Sequence, residues 1–147
     1  MTTVQEVLNL MGGAKVFGKV ASAQKGALRL IEFIEEGLPL ESIDQISDSI
    51  GIERDKTLEL IGLPKRTYAR RKKAGRLDLS ESDRLFRLAR IFVSAMLVLG
   101  SMEKASRWLQ KKNRSLGNRV PLDLLGTDIG AHEVEKILGR IQHGIFS

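Results

Sequence analysis

Ile61-Gly62-Leu63-Pro64-Lys65-Arg66-Thr67-Tyr68-Ala69-Arg70-Arg71-Lys72-Lys73-Ala74-Gly75-Arg76 carries the first clear structural instruction in this chain. Gly62-Leu63-Pro64 reads as a tight connection between two short helices. Proline suits the first turn of a helix, because its fixed φ is already helical and that position needs no N–H donor. The helix that Pro64 opens is expected to reach about Ala74, where Gly75 supplies a stop. Upstream, residues 53–61 place Leu58 and Ile61 on one side of a helix. A helix, a short glycine-containing turn and a basic helix form the helix-turn-helix pattern, whose second helix enters the DNA major groove.

The charge of this stretch is local. Residues 63–76 hold 7 basic side chains and no acidic one, whereas residues 1–62 hold 6 basic and 10 acidic. Residues 77–147 hold 11 basic and 8 acidic, and the whole chain carries +6. A concentrated positive patch addresses an anion, most often a phosphate backbone. The other readings of such a run are a solvated helix face or a dock for an acidic partner. Spacings of four and three put Arg66, Arg70 and Lys73 on one face. Lys65, Arg71, Lys72 and Arg76 complete the expected phosphate contacts. Thr67 and Arg70 have the groups to read base edges, and the other cations position the duplex without reading it. Tyr68 is expected to anchor the helix inward rather than stack on bases. One module of this size binds weakly, so specific binding to double-stranded operator DNA calls for a homodimer with two such helices about one duplex turn apart.

Outward from this unit the chain reads as helical throughout. Val4, Val7, Leu8 and Met11 mark one face of a first helix closed by Gly12-Gly13. Residues 23–36 form a second, with Ala27, Leu30, Ile31 and Ile34 inward and Gly37 as its end. Pro39 can start a third, in which Ile43, Ile46 and Ile50 repeat at helical spacing. Leu79 and Ser80 open the longest element, with Ser80 and Asp83 as a partial capping box. Its apolar stripe, Leu85, Leu88, Ala89, Phe92, Met96 and Leu99, is widened by Phe86, Val93 and Leu97, so it is expected to be covered from more than one side. Ser101 caps a helix that turns Ala105, Trp108 and Leu109 inward. Residues 111–120 read as a polar loop. Pro121 starts a short turn, and Thr127 or Asp128 caps a last helix with Gly130, Val134, Ile137, Leu138 and Ile141 on one face. The expected fold class is all-α, with an N-terminal helix-turn-helix domain over 1–79 and a small C-terminal helical domain over 80–147.

Several chemistries lose their residues. The 147-residue chain has no cysteine, which removes disulfides, thiolate metal sites and thiol nucleophiles and fits a reducing, cytoplasmic setting. Its longest apolar run, residues 91–100, is half of what a membrane span needs, roughly 20 residues. The first residues lack the basic and apolar segments of a signal peptide. Gly13-Ala14-Lys15-Val16-Phe17-Gly18-Lys19 fits G-x4-G-K, but Val20 stands where the magnesium-binding hydroxyl belongs and no strand precedes it. His132 and His143 have no third ligand at metal-site spacing. No cofactor, metal or enzymatic activity is expected.

The order of motifs resembles the Xre/MbcA/ParS-like antitoxins, partners of RES-domain toxins in bacterial type II toxin–antitoxin pairs. The resemblance runs from residues 61–71 through Gly75-Arg76-Leu77 and Ser80-Glu81-Ser82. It continues at Ala105-x-x-Trp108-Leu109, Asn113, and Leu116-Gly117-Asn118-x-x-Pro121-Leu122-Asp123-Leu124-Leu125. It closes with Gly130-x-x-x-Val134, Leu138, Ile141, Gly144, Ile145 and Phe146. Asn118 departs from a glycine frequent in the family, and asparagine tolerates left-handed backbone. The resemblance implies an Xre-like DNA-binding domain and a C-terminal domain that binds toxin and dimerises. It also implies an NAD-consuming RES-domain toxin, blocked stoichiometrically, and repression of the antitoxin's own promoter. Trp108, Leu109, Leu116 and Pro121 would hold the C-terminal fold.

The tail, His143-Gly144-Ile145-Phe146-Ser147, would then lie at the entrance of the toxin's active site. Its chemistry agrees with that role. Ile145 and Phe146 each bury surface worth about 1.5–3 kcal/mol in a suitable pocket, and the Ser147 carboxylate can answer a basic site. The competing reading folds Phe146 back onto its own last helix. At the level of function, the alternatives are a stand-alone repressor and an interaction protein that no longer binds DNA.

Overall fold

The computed structural model describes residues 4–10 and 26–144. Helices α1 (Val4–Leu10), α2 (Gly26–Glu36), α3 (Glu41–Ile50), α4 (Arg54–Ile61) and α5 (Lys65–Arg71) precede a long helix, α6 (Leu79–Leu99). After it come α7 (Met102–Gln110), two single 3₁₀ turns at Arg114–Leu116 and Pro121–Leu124, and α8 (Asp128–Gln142). The architecture is all-α, with helix-turn-helix elements and a C-terminal helical domain joined by the long helix. The expected glycine end of the first helix, the start of the second before Gly26, the Gly13–Lys19 segment and residues 145–147 lie outside the described residues.

Helix α6 is the spine. It packs against α1, α2, α3 and α4 on the N-terminal side and against α7 and α8 on the C-terminal side. Two-sided packing explains the breadth of its apolar surface: Leu85, Leu88, Ala89, Ile91, Phe92, Val93 and Ala95 are all buried. Each of the larger side chains contributes about 1.5–3 kcal/mol by leaving water. Leu97, expected to widen the apolar stripe, is instead 49% exposed and lines an open groove with Leu10 of α1 and Met102. Gly100 adopts φ +100° and lets the chain turn by 114° into α7. Among the described residues no single helix is long and apolar enough to cross a membrane.

The cap of α6 is one step earlier than Ser80 and Asp83 suggest. The Asp78 side chain accepts from the Glu81 N–H at 2.7 Å, and the Glu81 carboxylate accepts from the Asp78 N–H at 3.0 Å. This is a complete capping box, with Glu at the preferred third position. Ser82 is buried and its hydroxyl accepts from the Leu38 N–H at 2.8 Å. Thr127, rather than Asp128, caps α8, and Ser101 caps α7 as its sequence suggests. Ile31 faces outward at 52% exposure, while Leu30 is buried and Ile34 is partly buried against the core.

Candidate nucleic-acid interface

Helices α3 and α4 are joined by a buried polar relay. The Ser47 hydroxyl donates its one proton to the Ile43 carbonyl at 2.7 Å. Thr57 must therefore be the donor in its 2.6 Å bond to Ser47. Beside it, Ile43, Ile46, Ile50, Leu58 and Ile61 are fully or nearly fully buried. Gly62, at φ +70°, ends α4 and turns the chain so that Leu63 enters the core. Pro64 sits immediately before the first turn of α5 in extended backbone. The helix is shorter than expected, since it stops at Arg71 and a turn carries the chain through Lys72, Lys73 and Ala74 to Gly75.

Three contacts fix α5 in place. A two-stranded bridge pairs Pro39 with Arg76, with Leu40 N–H donating to the Gly75 carbonyl and Leu77 N–H to the Leu38 carbonyl, both at 2.9 Å. Gly37 makes this crossing possible: a Cβ there would lie 2.1 Å from the Leu77 carbonyl oxygen. Tyr68 is half-buried against the core, as expected of an inward anchor. Its ring lies under the Arg54 guanidinium, 5.3 Å from its centroid, and the Lys72 ammonium, 5.4 Å. Arg71, only 27% exposed at its side chain, pairs with the nearly buried Glu81 and lies 3.5 Å from Asp78. One guanidinium thus ties the basic helix to the capping box of the spine.

These contacts sort the predicted DNA residues. Arg66, Arg70, Lys72 and Lys73 are exposed, and among the described residues none of them faces a carboxylate. Thr67 is half-buried, and Arg70 Nη2 lies 3.4 Å from its hydroxyl. Lys65 is 75% exposed and forms a 2.9 Å surface pair with Asp55 that solvent screens and a phosphate can replace. Arg76 donates to the Gly37 carbonyl at 2.9 Å. Arg71 alone spends its charge inside the fold. Behind the helix, the bond from Arg54 to Asp44, at 2.7 Å through Nε, and the charge of that carboxylate raise the pKa of the Arg54 guanidinium.

The C-terminal side is held to this unit by side chains far away in sequence. Lys56 on α4 donates to Asp123 at 2.6 Å, a bond that raises the Lys56 pKa above its ordinary value despite partial burial. Ser106 and Gln110 on α7 donate to the Ile50 carbonyl, and Arg87 donates to the Leu125 carbonyl at 3.3 Å. Ala105 and Leu109 are buried and Trp108 packs partly exposed beside them. The polar segment after α7 is more ordered than a plain loop: Asn113 bridges to Arg119 around the first 3₁₀ turn. At the end of α8, His143 and Gly144 are exposed, with Gly144 at φ +73°. Among the described residues no group of three or more His, Asp or Glu side chains is arranged to hold a metal ion.

The charge tally over residues 77–147 conceals a second basic stretch. Lys104, Arg107, Lys111, Lys112, Arg114 and Arg119 fall within 16 residues that include no acid. A narrower window along the sequence finds them.

Comparison with known proteins agrees with this geometry. Residues 29–90 match the antitoxin Xre-like helix-turn-helix domain, and residues 94–144 match the antitoxin Xre/MbcA/ParS C-terminal toxin-binding domain. The chain is 35% identical over 127 residues to the antitoxin Xre of Yersinia enterocolitica, covering 85% of each. It is 34% identical to the antitoxin Xre of Photorhabdus laumondii, covering 78% of each. A third relative, antitoxin Xre of Pseudomonas putida, is 37% identical over 93 residues, 63% of this chain and 56% of that protein. With its helix-turn-helix, its toxin-binding domain and kinship across most of its length, this chain belongs to the Xre/MbcA/ParS family of antitoxins, a non-catalytic regulatory class.

Proposed function

We propose that this antitoxin inhibits a RES-type, NAD-consuming toxin by direct binding and represses its own operon by binding operator DNA as a homodimer. The DNA half of the reading is supported chiefly by one observation: Arg66, Arg70 and Lys73 are exposed on the basic helix and its following turn, with no carboxylate among the described residues facing them. Thr67 and Arg70 supply the base-edge groups, and Lys65, Lys72 and Arg76 the phosphate contacts. Arg71 sets the angle of the helix through Glu81 rather than touching the duplex. The boundary between the helix-turn-helix domain and the toxin-binding domain falls near residues 79 and 80.

The RES partner rests on the likeness around Trp108 to Leu125 and on the tail. His143 and Gly144 are exposed at the end of α8, and the apolar Ile145 and Phe146 that follow them have the chemistry to fill a concave site. Two experiments test the proposal. In a mobility-shift assay on the DNA upstream of the operon, changing Arg66, Arg70 and Lys73 together to Ala should abolish the shift; unchanged binding would reject this helix. Deleting residues 143–147 should abolish inhibition of a co-expressed RES toxin, and full inhibition by the truncated chain would reject the tail as the blocking element.

A further inference from the structure

Outside α5, most described cations are paired. Arg29, Arg54, Lys56, Arg87, Arg90 and Lys136 each face a carboxylate, and Arg76 and Arg84 donate to backbone carbonyls. The second basic stretch does neither: its lysines and arginines are exposed and, among the described residues, have neither a carboxylate nor a carbonyl partner. Unneutralised like charges this close in sequence repel one another, and a bound anion would relieve that repulsion.

The stretch is a built surface. Lys104, Arg107 and Lys111 follow one another at spacings of three and four, opposite the buried Ala105 and Leu109 of α7. Beyond them, the Asn113 N–H donates to the Arg119 carbonyl and the Asn118 N–H to the Asn113 carbonyl, both at 2.9 Å. The Asn113 side chain accepts from the Ser115 N–H at 2.9 Å, and Gly117 and Asn118 close the turn at φ +65° and +63°. Arg114 and Arg119 therefore ride on a fixed loop.

Position points to the anion. Gln110 and Val120, the residues on either side of the loop, wall an open cleft with Asp123, and Gly51, Glu53 and Lys56 of the α3–α4 connection form its other side. The Lys56–Asp123 bond clamps the Pro121–Leu124 turn, which directly follows the loop, to the first turn of α4. That same turn holds the basic helix on its other side, through the Lys65–Asp55 pair and the Arg54–Tyr68 stack. In a helix-turn-helix, the helix before the recognition helix crosses the phosphate backbone. A loop that runs directly into a turn held at the start of that helix lies within reach of the same backbone. We propose that Lys111, Lys112, Arg114 and Arg119 bind phosphates flanking the groove that α5 enters, so that the toxin-binding domain is part of the DNA footprint. The inference rests on the DNA-binding reading of α5. An acidic face of the toxin is the rival occupant; attachment to α4 favours the duplex.

The test is fluorescence anisotropy with a mixed-sequence duplex of about 30 base pairs, roughly three helical turns, over a series of salt concentrations. Wild type is compared with a quadruple variant, Lys111→Ala, Lys112→Ala, Arg114→Ala and Arg119→Ala, and with the Arg66, Arg70, Lys73 triple-Ala variant. Losing four phosphate contacts should make the slope of log K against log salt shallower by about 3–4. Should the quadruple variant melt below wild type, the milder pair Arg114→Gln and Arg119→Gln is expected to shift the slope by about 2. An unchanged slope, alongside lost binding in the triple variant, overturns this inference and leaves the α5 reading intact. Lost toxin binding with an unchanged slope overturns it in favour of the protein partner. No change in either variant overturns both readings together.

Discussion

Replacing Gly130 with alanine should destabilise this protein, although helix propensity predicts the reverse. Glycine inside a helix costs about 0.8–1.0 kcal/mol relative to alanine, so two glycines in α8, Gly130 and Gly139, look like sites for improvement. The structure separates them. A Cβ at Gly130 would lie 2.0 Å from the Leu124 carbonyl oxygen and 2.9 Å from its carbon, in rigid backbone of the Pro121–Leu124 turn. Restoring ordinary contact, at least 3.4 Å, needs a retreat of about 1.4 Å between two elements that are otherwise packed. Overpacking of this kind costs about 1–3 kcal/mol, which exceeds the propensity gain. At Gly139 nothing lies within 4 Å of the new Cβ, and the propensity gain should stand alone. For a chain of this size, each kcal/mol moves Tm by about 2–4 °C. Thermal unfolding followed by circular dichroism should show Gly139→Ala raised by about 2–4 °C and Gly130→Ala lowered. A Gly130→Ala protein that melts at or above wild type would refute the claim that α8 docks on that turn through backbone contact.

Three further outcomes follow from buried or paired side chains. Glu81→Ala removes half of the α6 capping box and strands Arg71, and should cost about 2–3 kcal/mol in denaturant unfolding, whereas Glu81→Gln keeps the capping acceptor and should cost about 1 kcal/mol. Both variants remove the charge that answers Arg71 and only Gln keeps the capping acceptor, so equal losses would mean that the Glu81 half of the capping box contributes nothing. Phe92, fully buried between the lobes, should cost about 3–5 kcal/mol as Phe92→Ala, in one cooperative transition; separate melting of the two halves would show that the spine does not couple them. The Lys56–Asp123 bond raises the Lys56 pKa above 10.5. Its contribution is therefore complete below pH 10.5 and is lost as pH rises through the raised value. Compared with Lys56→Met across that range, wild type should lose its advantage only in strong alkali; an advantage already lost near neutral pH would contradict the pairing.

Much of the fold was legible because helical periodicity is a local property. Ile43, Ile46 and Ile50, or Val134, Ile137 and Leu138, announce their buried faces by spacing alone, and Gly51, Gly62 and Gly100 mark helix ends through backbone conformations that favour glycine. Where local signals competed, the structure chose: Asp78 outranks Ser80 as the α6 cap because Glu81 completes its box. Ile31 lies outward although its spacing fits the inward face, because among the described residues the neighbours of α2 cover Leu30 and, in part, Phe33 and Ile34.

The amino-acid order by itself determined the helical class, the helix-turn-helix and the concentration of positive charge around it, since each depends on residues a few positions apart. Only the tertiary structure decided which cations remain free. Arg71 looked like Arg70 until Glu81, ten residues on, claimed its charge, and the turn that follows the basic loop is held to α4 through Lys56 and Asp123, sixty-seven residues apart. Pairing and desolvation depend on distances in space, and chain separation carries no record of them.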